Sequence, residues 1–406
     1  MCAVGTVLPG CGAPRQASDA LPQVAAAPSN PFARGASGSG YSLLYSFGGG
    51  HDGSWPAAGV TALNGRLFGT TTWGGHSEGT VYKLTTSGVE TVLYRFTDLR
   101  GPEDPEAELL DVNNTLYSTT PEGGSQHAGT VFAITPAGRQ HVVYSFKKSS
   151  DVFGPTNGLV QLNGTMYGTA SNGGGSQHDG GVFAVIPSGK EHVVHRFGGA
   201  PSDGAYPTGK LLVVNGVLYG VTIAGGSHDR GTIFSLTPSG KESILYSFKG
   251  GATDGAAPIG LSMLDGTFYV TTANGGDSSC TSGCGAIAAF NIGDRERIFH
   301  KFVLNEGARP SAPLLAYNGS LYGVACAGGA WGNAFTCSSG SSYQEFGPGS
   351  LFRIDLDGRF TVLHYFGGSD GATPMGSLVA YKGFLYGTAR NGGNEASGVV
   401  FRIAPR

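Results

Sequence analysis

Charge is scarce in this chain. Asp, Glu, Lys and Arg make up 13% of its 406 residues, about half the share of about 25% in ordinary globular proteins. The net charge is -3, so no basic excess exists to neutralise a phosphate backbone, and nucleic acid is excluded as the main partner. No apolar run approaches the roughly 18 residues of a membrane-spanning helix. No segment carries a convincing helical period. Trp (3) and Met (4) are rare. Glycine is what the chain has instead. It supplies 71 residues, more than twice the usual share of about 7%, without the every-third-residue period of collagen.

The glycines belong to a repeat. A Phe closes a Tyr-Ser-Phe-like segment at Phe47, Phe96, Phe146, Phe197, Phe248, Phe302 and Phe366, at intervals of 49, 50, 51, 51, 54 and 64 residues. Residues 155–197 show one full unit. Its first two strand-like runs, 159–162 and 166–169, flank Asn163-Gly164. Asn-Gly between apolar runs predicts a tight hairpin, because both central residues must adopt φ > 0. A third run, 182–186, leads through Pro-Ser-Gly into a fourth, 192–197. Equivalent turns stand at Asn64-Gly65, Asn215-Gly216, Asp265-Gly266 and Asn318-Gly319.

Four strands in a unit of about 50 residues predict a β-propeller blade. The fold expected is all-β, a seven-bladed propeller of four-stranded antiparallel blades. Residues 41–47 (Y-S-L-L-Y-S-F) read as a fourth strand with no first three before it, and residues 374–404 hold three strands and no fourth. The N-terminal strand is therefore expected to complete the last blade, removing an edge that would seed aggregation.

The units carry L-N-G-x-L-Y-G-T-T, a Gly-Gly loop, G-T-V-F-x-L-T-P-S-G and V-L-Y-S-F. In this they resemble the tandem GloVer (Gloeo-Verruco) repeats over about residues 41–406. The resemblance implies an exported or surface-anchored bacterial protein and implies no reaction. The strands are also similar to quinoprotein-type propeller repeats, whose tryptophan-docking motif is absent here, so no quinone cofactor is inferred.

Residues 1–40 are rich in Ala, Pro, Ser and Gly and read as a tether, leaving 41–406 as the propeller. Leu8-Pro9-Gly10-Cys11 resembles a lipobox, with Cys11 the lipidation site and the only expected membrane contact. Ten residues without Lys or Arg precede Cys11, short of a full signal peptide, so either the start lies upstream or the match is chance. Beyond Cys2 and Cys11, four Cys sit in two loop insertions. Local pairing, Cys280 with Cys284 and Cys326 with Cys337, suits an oxidising compartment. A zinc site built from all four thiolates is the rival reading.

In an antiparallel blade the Asn-Gly and Pro-Ser-Gly turns share one face. The second–third loops and the inter-blade connections share the other. The second face carries every insertion and is the functional candidate. All three Trp lie in these loops, at Trp55, Trp73 and Trp331. They either cover loop backbone or form a stacking platform for a sugar or peptide, with His76 and Tyr343 beside them. His127, His178 and His228 recur in the same loops but are spread around the ring, so no metal site is assigned. Asp-Gly recurs in the connections at Asp52, Asp203, Asp254 and Asp370, explained by Asp bonding its own turn amides. A carboxylate ring at the funnel mouth would be the one place for Ca²⁺; no other cofactor is expected. Gly367-Gly368-Ser369-Asp370-Gly371 matches a nucleophile-elbow pattern but lacks the strand–turn–helix it requires. The function expected is an exported binding or scaffold propeller holding an extracellular glycan or protein on the long-loop face. The alternative is an extracellular lyase, hydrolase or lactonase with acid/base groups at the loop-side funnel.

Overall fold

Each Asn-Gly pair folds as its chemistry requires. In the third unit Asn163 and Gly164 adopt φ of 51° and 80°, reversing the chain between Val160–Leu162 and Thr165–Ala170. Gly181–Val185 and Glu191–Arg196 complete that sheet. The computed structural model describes residues 40–75, 78–97, 101–173, 178–280, 282–291, 297–329, 336–337 and 345–405, with backbone alone for 336–337 and 345–346. Among these residues there is no helix, and seven antiparallel sheets of this kind form the seven blades of a propeller. In blades 4 and 5 the first strand is longer, Gly204–Val214 and Gly255–Leu264, because the connection joins the sheet across a register shift.

The last blade is closed by the N-terminal strand. Tyr41–Ser46 pairs antiparallel with Val399–Ile403, and the Tyr41 hydroxyl donates to the Asp370 carbonyl at 2.6 Å.

The anchor Phe residues are the hubs of the core. All seven are 2% exposed or less. Each amide donates to a glycine carbonyl just before the third strand of its own blade, as Phe146 does to Gly129 and Phe197 to Gly180, both at 3.0 Å. Most rings also meet, edge to face, an aromatic on the third strand of the next blade. Phe146 meets Phe183 at 4.9 Å and Phe302 meets Phe352 at 5.1 Å. That arrangement places the electropositive ring edge against a π face, so one residue type fastens both its own blade and the seam to the next.

A polar contact accompanies five of the hubs. Two residues before every anchor stands Tyr or His, and at these five its tip bonds an acid in the following connection. Tyr45 donates to Asp52 (2.8 Å), Tyr144 to Asp151 (2.7 Å) and Tyr246 to Asp254 (2.9 Å). His300 meets Glu306 and His364 meets Asp370, both at 2.8 Å. The same acids accept backbone amides at the start of the connection, as Asp52 does from Gly48 at 2.8 Å. The Asp-Gly carboxylates therefore pin fourth strands at the blade seams rather than forming a ring at the channel mouth. All four also accept amides of their own turns, as Asp203 does from Gly204 at 2.6 Å. Asp151 and Glu306 do the same work without the Asp-Gly signature.

At three seams the next blade adds a Glu, and at two of them it faces a Tyr–Asp pair. Burial, and then the charge of Asp52, pushes Glu90 up to about 7, with Arg95 pulling the other way. Burial and the charge of Asp151 push Glu191 up to about 7 against the Tyr144 hydrogen bond, Arg196 and Lys147. A carboxyl whose pKa is raised on folding stabilises the fold below its unfolded value and loses that contribution as pH rises through the folded one. The seams are thus expected to weaken between about pH 4.5 and about pH 7. Thermal melts across this window should show the fall in wild type and a flatter profile in a Glu90→Gln, Glu191→Gln variant. Identical slopes would refute the assignment.

Candidate functional site

Residues just before or along the first strand of every blade line one central cavity of about 540 Å³. The first strands are therefore innermost. Because each runs from its connection toward its Asn-Gly hairpin, this cavity opens on the long-loop face. A second cavity of about 480 Å³ lies further along the same strands, lined by Leu110, Val160, Leu212, Met263 and Leu315. The hairpin end of the channel is thus largely apolar. The loop end carries Glu106, Glu108, Lys210, Arg309 and Arg390, with Lys210 paired to Glu108 at 3.6 Å.

Trp55 reaches this mouth through Arg390, one of its lining residues, and Trp73 lies against Trp55 and walls a separate depression. Trp55 has φ of 59°, a left-handed conformation uncommon outside Gly and Asn. Its amide donates to Ser397 of blade 7 and its carbonyl accepts from Thr72, while Ser54 and Trp73 exchange both backbone hydrogen bonds. These bonds lock the connection into blade 1 against that blade's second–third loop and bring the two indoles together, centroids 5.6 Å apart and tilted by 56°. The Arg390 guanidinium lies 5.1 Å from the Trp55 ring, close enough for a cation–π contact. Trp73 is 48% exposed and walls a shallow depression with His51, Ser54 and Gly49. An indole that only plugged the core would not stand half in water.

Carboxyl groups gather on the blade 2 side. Asp104, at φ of 54°, is pushed up to about 6 by burial and then by the charges of Glu78, Glu122 and Glu106. Burial also raises Glu106, opposed by Arg390. Glu103 is raised by burial and by Glu78, with His127 opposing at 3.8 Å. The mouth therefore carries Glu106, whose carboxyl burial raises, and the Arg390 guanidinium, which lies over Trp55 just outside it. Nothing in the repeat singles out Asp104 and Glu106, neighbours in the connection into blade 2, or Arg390 of blade 7, which meets them only when the ring closes.

Of the residues singled out from sequence, Trp55 and Trp73 come together. His76, Trp331, Tyr343 and Cys11 lie outside the described residues. His127, His178 and His228 are exposed on separate blades. Cys280 is bonded to Cys284 and Cys326 is disulfide-bonded; the Cys337 side chain lies outside the described residues.

The family profile described as the Gloeobacter/Verrucomicrobia repeat matches residues 32–183, 173–344 and 215–406. No curated protein sequence matches the chain. Among solved structures it is similar to the WD40 β-propeller domain of Doa1, with a TM-score of 0.53 and 12% identity over 89% of this chain and 97% of that one. It is similar to a puromycin-hydrolyzing peptidase of Mycobacterium tuberculosis, with a TM-score of 0.53 and 11% identity over 86% of this chain and 53% of that one, about half its length. It is also similar to a gluconolactonase from Xanthomonas campestris, with a TM-score of 0.44 and 13% identity over 90% and 89% of the two chains. Identities this low speak to the fold alone.

Proposed function

The chain belongs to the Gloeobacter/Verrucomicrobia repeat family, and from that premise we propose that it is an extracytoplasmic binding propeller that holds a glycan at the loop-side mouth of its channel. The observation that carries this reading is the exposed Trp73 face, braced by Trp55 and Arg390 beside the mouth carboxyls. A sugar presents an apolar ring face and a rim of hydroxyls. Indole suits the first; carboxylates and guanidinium suit the second. Disulfide bonding supports placement outside the cytoplasm, with residues 1–40 as the tether.

Binding to a polysaccharide panel, read by affinity electrophoresis, tests the reading. Trp73→Ala should weaken capture at least about fivefold, the scale of a binding hot spot. Its melting temperature should stay unchanged, as for an exposed side chain. A panel with no binder, or a Trp73→Ala protein that binds as wild type does, would defeat it.

A second reading has its own support. Burial raises the carboxyl of Glu106, which lines the mouth, and that of its neighbour Asp104, and a raised carboxyl suits general acid catalysis. If the site cleaves rather than holds its glycan or a lactone, Glu106→Gln should abolish turnover while weakening capture far less.

A further inference from the structure

One blade seam departs from the others. Between blades 3 and 4 the position held by Tyr at Tyr45 and Tyr144 is His195, the connection supplies Asp203, and the next fourth strand supplies Glu242 at the position of Glu90 and Glu191. The other two His seams differ. There an aromatic from the next fourth strand covers the imidazole, Phe360 on His300 at 4.1 Å and Tyr41 on His364 at 3.7 Å, and Nε2 is bonded to its acid at 2.8 Å. At the blade 3–4 seam no aromatic covers the imidazole, and it stops short of its acid. His195 Nε2 stands 3.6 Å from Asp203 Oδ2, beyond hydrogen-bond length. It is buried without a hydrogen-bond partner; Glu242 Oε1 also lacks one, as do the equivalent atoms of Glu90 and Glu191. The three ligand atoms all lie within 4.8 Å of one another.

We propose that His195, Asp203 and Glu242 bind a divalent transition-metal ion of the zinc class, which clamps the outer strands of blades 3 and 4. Zinc bonds to imidazole nitrogen and carboxylate oxygen are about 2.0–2.2 Å, which sets the ligand–ligand edges of a tetrahedral site at about 3.3–3.6 Å. The His195–Asp203 separation already falls at that edge. Both ligands are held from behind. Asp203 accepts the Gly198 amide at 2.8 Å and the Gly204 amide at 2.6 Å, and the His195 ring packs edge-on against Phe197 at 4.8 Å. Such outer contacts orient ligands and raise affinity. Glu242 need only swing inward, and water fills the fourth position. One imidazole with two carboxylates suits zinc better than Ca²⁺, which takes six to eight oxygens. This site lies on the outer rim and is independent of the glycan reading.

Titration of the metal-free full chain with zinc chloride, followed by calorimetry and thermal melts, tests the proposal. Wild type should bind one equivalent, with a melting temperature that climbs with zinc concentration, as for any ligand specific to the folded state. His195→Tyr restores the phenol of the neighbouring seams. It should fold with an unchanged circular dichroism spectrum and bind zinc at least 100-fold more weakly. Glu242→Gln should lose at least about tenfold and serves as the test if the tyrosine variant fails to fold. No stoichiometric zinc in wild type would overturn the site. So would variants that bind zinc as wild type does, which would place the ion on the exposed loop histidines.

Discussion

Removal of residues 1–47 is expected to convert this protein into an aggregating species. The loss takes the outermost strand of blade 7, whose pairing with Val399–Ile403 closes the ring, and leaves an unpaired edge, the usual template for intermolecular pairing. It also removes Phe47, fully buried among Val60, Leu67 and Tyr82 of blade 1. Truncating one buried Phe costs about 3–5 kcal/mol. That is a large fraction of a total stability of about 5–15 kcal/mol. Size-exclusion chromatography and thermal melts should show loss of monomer and a collapse of the cooperative transition. A monomer melting within about 2 °C of the parent, less than about 1 kcal/mol would shift it, would mean that the ring does not depend on its N-terminal strand.

The second large effect concerns Gly180, which precedes the third strand of blade 3. Its φ is 80°, its carbonyl receives the Phe197 amide, and an added Cβ would lie 2.4 Å from the Ala170 carbonyl oxygen and 2.9 Å from Pro207 Cδ of the next blade. Neither neighbour can yield, one being backbone and the other a ring at the blade junction. Gly180→Ala should therefore destabilise by about 3 kcal/mol or more, through backbone strain and steric overlap together. Gly164 is the control. It has the same φ of 80° with nothing near its missing Cβ, so Gly164→Ala should cost only the left-handed penalty of about 1–2 kcal/mol. Denaturant melts of the two variants separate strain from overlap, and equal losses would refute the packing argument.

These two glycines also mark what a linear reading can reach. Gly164 follows Asn163 between two apolar runs, so its hairpin is dictated by neighbours in sequence. The Phe spacing and the orphan fourth strand at 41–46 are likewise local patterns repeated until the ring is implied. Gly180 is different, because the atoms that exclude a side chain there belong partly to another blade. The same limit applies at the site. Trp55 and Trp73 are close in the chain and in the same loop face, and their meeting was legible. Glu106 and Arg390 carry no motif, and closure of the ring alone brings them together. At the seams, Asp151 and Glu306 supply the acceptor without Asp-Gly, since what the Tyr or His tip requires is a carboxylate within reach rather than a particular turn. The Asp-Gly turns were legible as turns that bond their own amides, but sequence does not report that the same acids also reach the outer strands.

A crystal structure of the protein with an oligosaccharide drawn from whichever polysaccharide it captures would test the binding site most directly. The expected result is a sugar ring stacked on Trp73 or Trp55, with its hydroxyls on Asp104, Glu106 or Arg390 at the loop-side mouth. A sugar seated on the Asn-Gly hairpin face, or on the outer seams away from both indoles, would contradict it.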